Sequence, residues 1–177
     1  MLIRFFETGV FLPTLNVAIV LSIAIAIFCR ELRFRRIVEV LILTCLFLIL
    51  YTTVLGRISH DSYNVCLMPF WSVGAIKDGL IEVLYEKIYN VLFFIPYGLL
   101  IGLWFKVYGL WNSMKKSMAV GFLTSVGIEL LQLITRTGTC ETDDVICNTI
   151  GCAVGAMVAI GCIRLFKWFK WFKRYDK

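Results

Sequence analysis

The chain has 177 residues, 60% of them hydrophobic, with a mean hydropathy of +0.85, a formal net charge of +6 and seven cysteines. A water-soluble domain is usually nearer half apolar, so this composition excludes an ordinary soluble enzyme and leaves no room for a soluble domain beside membrane spans.

Five stretches hold the roughly 20 mostly apolar residues needed to cross a hydrocarbon core of about 30 Å. They are residues 10–29, 37–55, 88–105, 118–135 and 145–166. The expected fold is an all-α integral membrane protein: one domain, residues 1–177, built as a bundle of five transmembrane helices with an outward amphipathic helix. The first span carries Pro13 near its start and Ser22 within it. Its long apolar run lacks a small-x-small cleavage site, so it reads as a retained anchor rather than a signal peptide. The second span ends at Tyr51, placed for an aromatic belt, and is followed by Arg57. Arg57 either snorkels to headgroups or faces the acidic hairpin at the same membrane level.

Residues 58–87 are too many for a tight turn and too polar to span. Leu67-Met68-Pro69-Phe70-Trp71-Ser72 reads as an apolar lip dipping into the interface. Beyond it, Ile76, Leu80, Val83, Leu84 and Ile88 share one helical face, and Lys77, Asp78, Glu82 and Glu86 the other. That is the pattern of an interfacial amphipathic helix, serving as a cap over the bundle or a lid over a lipid-accessible cavity. In the third span Pro96 predicts a kink, and Gly98 with Gly102 predicts close packing on a neighbour. Asn90 lies at its outer end.

The fourth and fifth spans form a helix–turn–helix. Ser125, Glu129, Gln132 and Arg136 recur at i, i+4, i+7 and i+11 on the first helix. Asp144, Asn148, Gly151 and Gly155 repeat that spacing on the second, with Asp143 at its mouth. At 1.5 Å per residue Glu129 lies about 10 Å below Arg136, inside the apolar slab or at its edge. A charge at such a position is costly unless paired, so intramembrane ionisable groups mark function by default. One of Asp143 and Asp144 is accounted for as a helix N-terminal cap, but not both.

Basic residues set the orientation. Arg30, Arg33, Arg35, Arg36, Lys106, Lys115, Lys116, Arg164, Lys167, Lys170, Lys173, Arg174 and Lys177 all fall on one side, and nine of the twelve acids fall on the other. The expected amino terminus is therefore outside and the carboxyl terminus cytoplasmic, with the polar hairpin opening outward. Residues 167–177 form a basic, aromatic tail suited to anionic lipid, and nucleic-acid binding is discounted. Cys66 and Cys140 are the two outward cysteines, either disulfide-linked or unpaired. His60 is the single histidine, so no Cys/His metal spacing exists.

Several stretches together resemble VanZ-like membrane proteins: Tyr51 to Arg57, Leu67-Met68-Pro69-Phe70, Asn90 to Gly98, Ser125 to Gln132, Arg136, and Asp143 to Gly151. The resemblance covers roughly residues 51–166. The family is named for low-level resistance to teicoplanin, a lipid-tailed glycopeptide acting on the bacterial envelope. It therefore implies a multi-pass protein of the bacterial cell membrane that contributes to glycopeptide resistance. The family's polar positions fall on Arg57, Asn90, Glu129, Gln132, Arg136, Asp143, Asp144 and Asn148. Residues Thr137 to Thr142 depart from the compact Arg-x-Phe-Asp-like turn of many members.

Three functions remain open. In the leading one, an outward polar pocket binds an amphiphilic envelope ligand, a lipid-linked precursor or a lipoglycopeptide, while membrane lipid surrounds the bundle. Its ligand-binding set is Arg57, Asn90, Glu129, Gln132, Arg136, Asp144 and Asn148. The arginines take phosphate or carboxylate and the amides read sugar hydroxyls or amides. The alternative is a membrane-embedded hydrolase or transferase with Glu129, Asp143 and Asp144 as catalytic candidates, with or without a divalent metal. The third is a polar network that only locks helices together. No cofactor and no dedicated metal set is identified from the residues. The pocket reading expects Asp144 to pair with Arg136 or Arg57; the metal reading expects Asp144, Asn148 and Glu129 to converge.

Overall fold

The computed structural model describes residues 34–105 and 110–175. The expected first span, together with Arg30, Arg33, Lys106 and Lys177, lies outside the described residues. Among those described, four helices are long and apolar enough to cross a membrane, and the protein is an all-α, multi-pass membrane protein.

The first helix, α1 (Phe34–Leu50), runs on into a π-helical turn, Tyr51–Leu55. The wider register is closed by the Gly56 amide donating to the Tyr51 carbonyl at 2.7 Å. Thr52 and Thr53 donate their hydroxyls back to the Leu48 and Ile49 carbonyls, a local bonding that loosens an ordinary helix. Such turns are frequent at functional sites.

A strand β1 (Asn64–Cys66) and a short helix α2 (Trp71–Lys77) precede helix α3 (Ile81–Trp104). The single amphipathic helix expected from Ile76 to Ile88 is thus two pieces. Gly79, at φ +92°, breaks it where a side chain would be strained. The part beyond the break is the first two turns of the span, which begins seven residues earlier than expected. Helix α3 continues through Pro96.

Helix α4 (Leu110–Thr135), strand β2 (Thr139–Glu141) and helix α5 (Thr142–Tyr175) complete the chain. The largest contact is between α3 and α5. It depends on glycines: a Cβ on Gly151 would strike the Val91 carbonyl oxygen, and one on Gly155 the Ile95 carbonyl oxygen. Helix α4 is pinned to α3 by buried hydroxyls, Ser113 to the Gly102 carbonyl at 2.7 Å and Ser117 to the Gly98 carbonyl at 2.9 Å. Ile49, Val54, Phe94, Tyr97, Ile101, Ile128 and Cys152 form the core between the helices.

Strands β1 and β2 pair in parallel, with Val65 opposite Cys140 and Cys66 opposite Glu141. Neighbouring strand residues point to opposite faces, so Cys66 and Cys140 diverge. Both are free thiols.

Candidate functional site

The polar hairpin is built by the way α4 ends. Arg136 adopts φ +57°, a left-handed conformation that stops the helix. The Thr137 amide then returns to the Gln132 carbonyl at 3.1 Å, and the chain turns into β2. This brings Glu141, Asp143 and Asp144 over the polar stripe of α4.

Lys87, in the second turn of α3, closes the cluster. It is buried, and its ammonium donates to Glu141 Oε2 at 2.6 Å and, more closely still, to Asp144 Oδ1. The Trp71 ring lies 5.5 Å from Nζ, and its indole nitrogen donates to the same Glu141 oxygen at 3.2 Å. A buried ammonium persists only when paired in this way. Burial pushes the Glu141 carboxyl above the ordinary carboxylate range, against the opposing pull of Lys87 and Trp71.

Lys87 was missing from the expected site, and Asp144 pairs with it rather than with Arg57 or Arg136. Arg136 instead turns outward, its guanidinium 4.2 Å over the Tyr63 ring and donating to the Tyr63 hydroxyl at 2.8 Å. The longer turn after Arg136, which pairs with β1, carries it away from the acids. Asp143 does not cap its own helix either. Its oxygens accept the Phe70 amide at 2.5 Å, the Ser72 amide at 3.0 Å and the Ser72 hydroxyl at 2.5 Å, fastening α2 onto the hairpin.

Glu129 and Gln132 are both buried. Glu129 Oε2 accepts the Glu141 amide at 2.8 Å. The Gln132 amide donates to the Thr53 carbonyl in the π-helical turn at 3.0 Å, leaving its own oxygen without a protein partner. Asn148, deeper, donates to Ser125 Oγ at 2.8 Å and also keeps an unpartnered oxygen. Glu129, Asp144 and Asn148 are therefore each drawn to a different partner. Among the described residues no group of three or more His, Cys, Asp or Glu is placed to hold a metal ion.

Above this network lies a polar cavity of about 150 Å³. Of the expected residues, Arg57, Asn90, Gln132 and Asp144 line it; His60, Asn64, Glu86, Gly138, Thr139 and Glu141 complete the wall. A Cβ on Gly138 would stand 3.0 Å from Arg57 Nη1 and 3.4 Å from the Gln132 amide, so the glycine lets both groups approach. Among the described residues Arg57 makes no ion pair.

The sequence model of the family described as VanZ/LLP1 matches residues 36–167, taking in most of α1, which precedes the motifs from Tyr51 onward. The chain is 28% identical over 124 residues to Protein VanZ of Enterococcus faecium, an alignment covering 68% of this chain and 70% of that protein. No solved structure matches. With four helices among the described residues long and apolar enough to cross a membrane, a polar hairpin at their end and a family match over most of its length, this chain belongs to the VanZ/LLP1 family.

Proposed function

We propose that the cavity binds the polar head of an amphiphilic molecule of the bacterial envelope, a lipid-linked precursor or a lipoglycopeptide, and that this binding underlies a contribution to teicoplanin-type resistance. The observation that carries the reading is Arg57: a half-buried cation on the cavity wall without an ion-pair partner among the described residues. A ligand phosphate or carboxylate satisfies that charge, while Asn90 and the unpartnered Gln132 oxygen offer hydrogen bonds to hydroxyls and amides. The hairpin faces away from the cytoplasm in this proposal, as the one-sided distribution of basic residues supports. Glu129, Asp143 and Asp144 as an enzyme's carboxylates find less support, because Asp143 is spent on Phe70 and Ser72 and Asp144 on Lys87.

The test is direct binding to the full chain in lipid nanodiscs, with a polyprenyl-phosphate-linked sugar and with teicoplanin as probes. Arg57→Ala is expected to weaken binding about ten- to a hundredfold, the equivalent of about 1.5–3 kcal/mol for a hydrogen bond to a charged group. Unchanged affinity for both probes in Arg57→Ala would overturn the reading, as would no binding to the parent protein.

A further inference from the structure

We infer that Arg136, Tyr63 and the outward face of the β1–β2 sheet form a docking surface for membrane phospholipid, separate from the cavity. The sheet is two-faced. Asn64, Thr139 and Glu141 line the cavity, so the face they share is turned inward. Val65 is one residue out of phase and points the other way. Close to it in the chain, Tyr63, Leu67, Met68 and Phe70 are also uncovered, and all five residues are between 51% and 70% exposed. Exposed apolar side chains gathered within one short stretch of chain, rather than scattered singly, point to a membrane or protein contact.

This surface is held in place. The ladder to β2 fixes β1, the His60 amide donates to the Arg136 carbonyl at 2.8 Å, and Asp143 takes the Phe70 amide. The occupant follows from charge and level. Arg136 directly follows Thr135, the last residue of a membrane-spanning helix, so it stands at the edge of the hydrocarbon slab. It forms no ion pair among the described residues. Stacked on Tyr63, its guanidinium sits where a lipid phosphate lies, with the apolar side chains beside it for the upper acyl chains. Amphipathic side chains mark that boundary in membrane proteins. The same register sets the cavity, on the other side of a two-stranded sheet, at headgroup depth.

The test uses the full chain in nanodiscs of mixed phosphatidylglycerol and phosphatidylcholine, with a photo-crosslinking amino acid at position 68 and, separately, at position 61. Phospholipid adducts found by mass spectrometry at position 68 and not at Asp61, which is also exposed, are the expected result. A preference for phosphatidylglycerol is expected to fall about fivefold in Arg136→Gln, from about 1 kcal/mol per basic residue near an anionic surface, and to persist in Arg136→Lys. Tyr63→Phe, which keeps the ring but removes the hydroxyl that holds the guanidinium, lowers the preference by a smaller factor if Arg136→Gln does not fold. Equal adducts at both positions, adducts to a second copy of the chain, or a preference unmoved by the substitutions that fold would each overturn the proposal. Because the readout involves no envelope ligand, its failure is distinct from failure of the cavity reading.

Discussion

Lys87 is the residue on which the acidic hairpin depends. Replacing it with methionine keeps the stem but leaves the half-buried Glu141 and Asp144 without a cation. Removing one partner of a buried ion pair costs about 3–5 kcal/mol, so Lys87→Met is expected to lower the unfolding midpoint in detergent markedly, with Lys87→Arg less harmful. Glu141 adds a pH dependence of definite sign. Burial raises its carboxyl above the ordinary 4.5, so the folded chain holds this proton where the unfolded chain has released it. Its stabilising contribution is fully present below pH 4.5 and is lost as pH rises through the raised value. Thermal unfolding followed across that window is expected to show the decline in the parent and a flatter profile in Glu141→Gln. An opposite slope would mean that Lys87 dominates over burial.

At the scale of elements, α3 and α5 are held together by backbone approach rather than by large side chains. Gly155→Leu has no room beside the Ile95 carbonyl and is expected to cost at least about 1–3 kcal/mol through overpacking. Gly161, on the same helix, has nothing within 4 Å of an added Cβ, so Gly161→Ala is expected to stay within about 0.5 kcal/mol of the parent. Paired unfolding measurements on the two variants check both. The glycine pattern was legible from spacing alone. The split of the amphipathic segment was not, because a continuous hydrophobic face says nothing about a positive φ at Gly79. Lys87 did leave a trace in the sequence. It lies seven residues before Phe94 and eleven before Gly98, on the stripe of α3 that packs inward, although it was not among the expected site residues.

For the whole molecule, the helix ends sort charge. Arg35 lies 4.2 Å over the Trp104 ring, and Lys115 and Lys116 lie over Trp111 and Phe105, as basic side chains do at an interface. The buried acids gather at the opposite end. We expect a maleimide applied to intact cells to label a cysteine placed at Ser62 and not one placed at Phe34. The reverse pattern would invert the proposed orientation and put the cavity on the cytoplasmic side.

Composition and hydropathy by themselves determined that this is a helical membrane protein, because a bilayer core accepts only backbone whose hydrogen bonds close within each segment. Helical periodicity likewise determined that Ser125, Glu129 and Gln132 share one buried stripe, since 3.6 residues per turn is a local property. Only tertiary structure decided the partners. Which cation meets Asp144 depends on a seven-residue extension of α3, and where Arg136 points depends on a strand pairing across more than 70 residues of chain. Those outcomes arise from long-range closure, in which each buried charge takes whichever counter-charge the packed helices bring within reach, and no spacing along the chain encodes that distance.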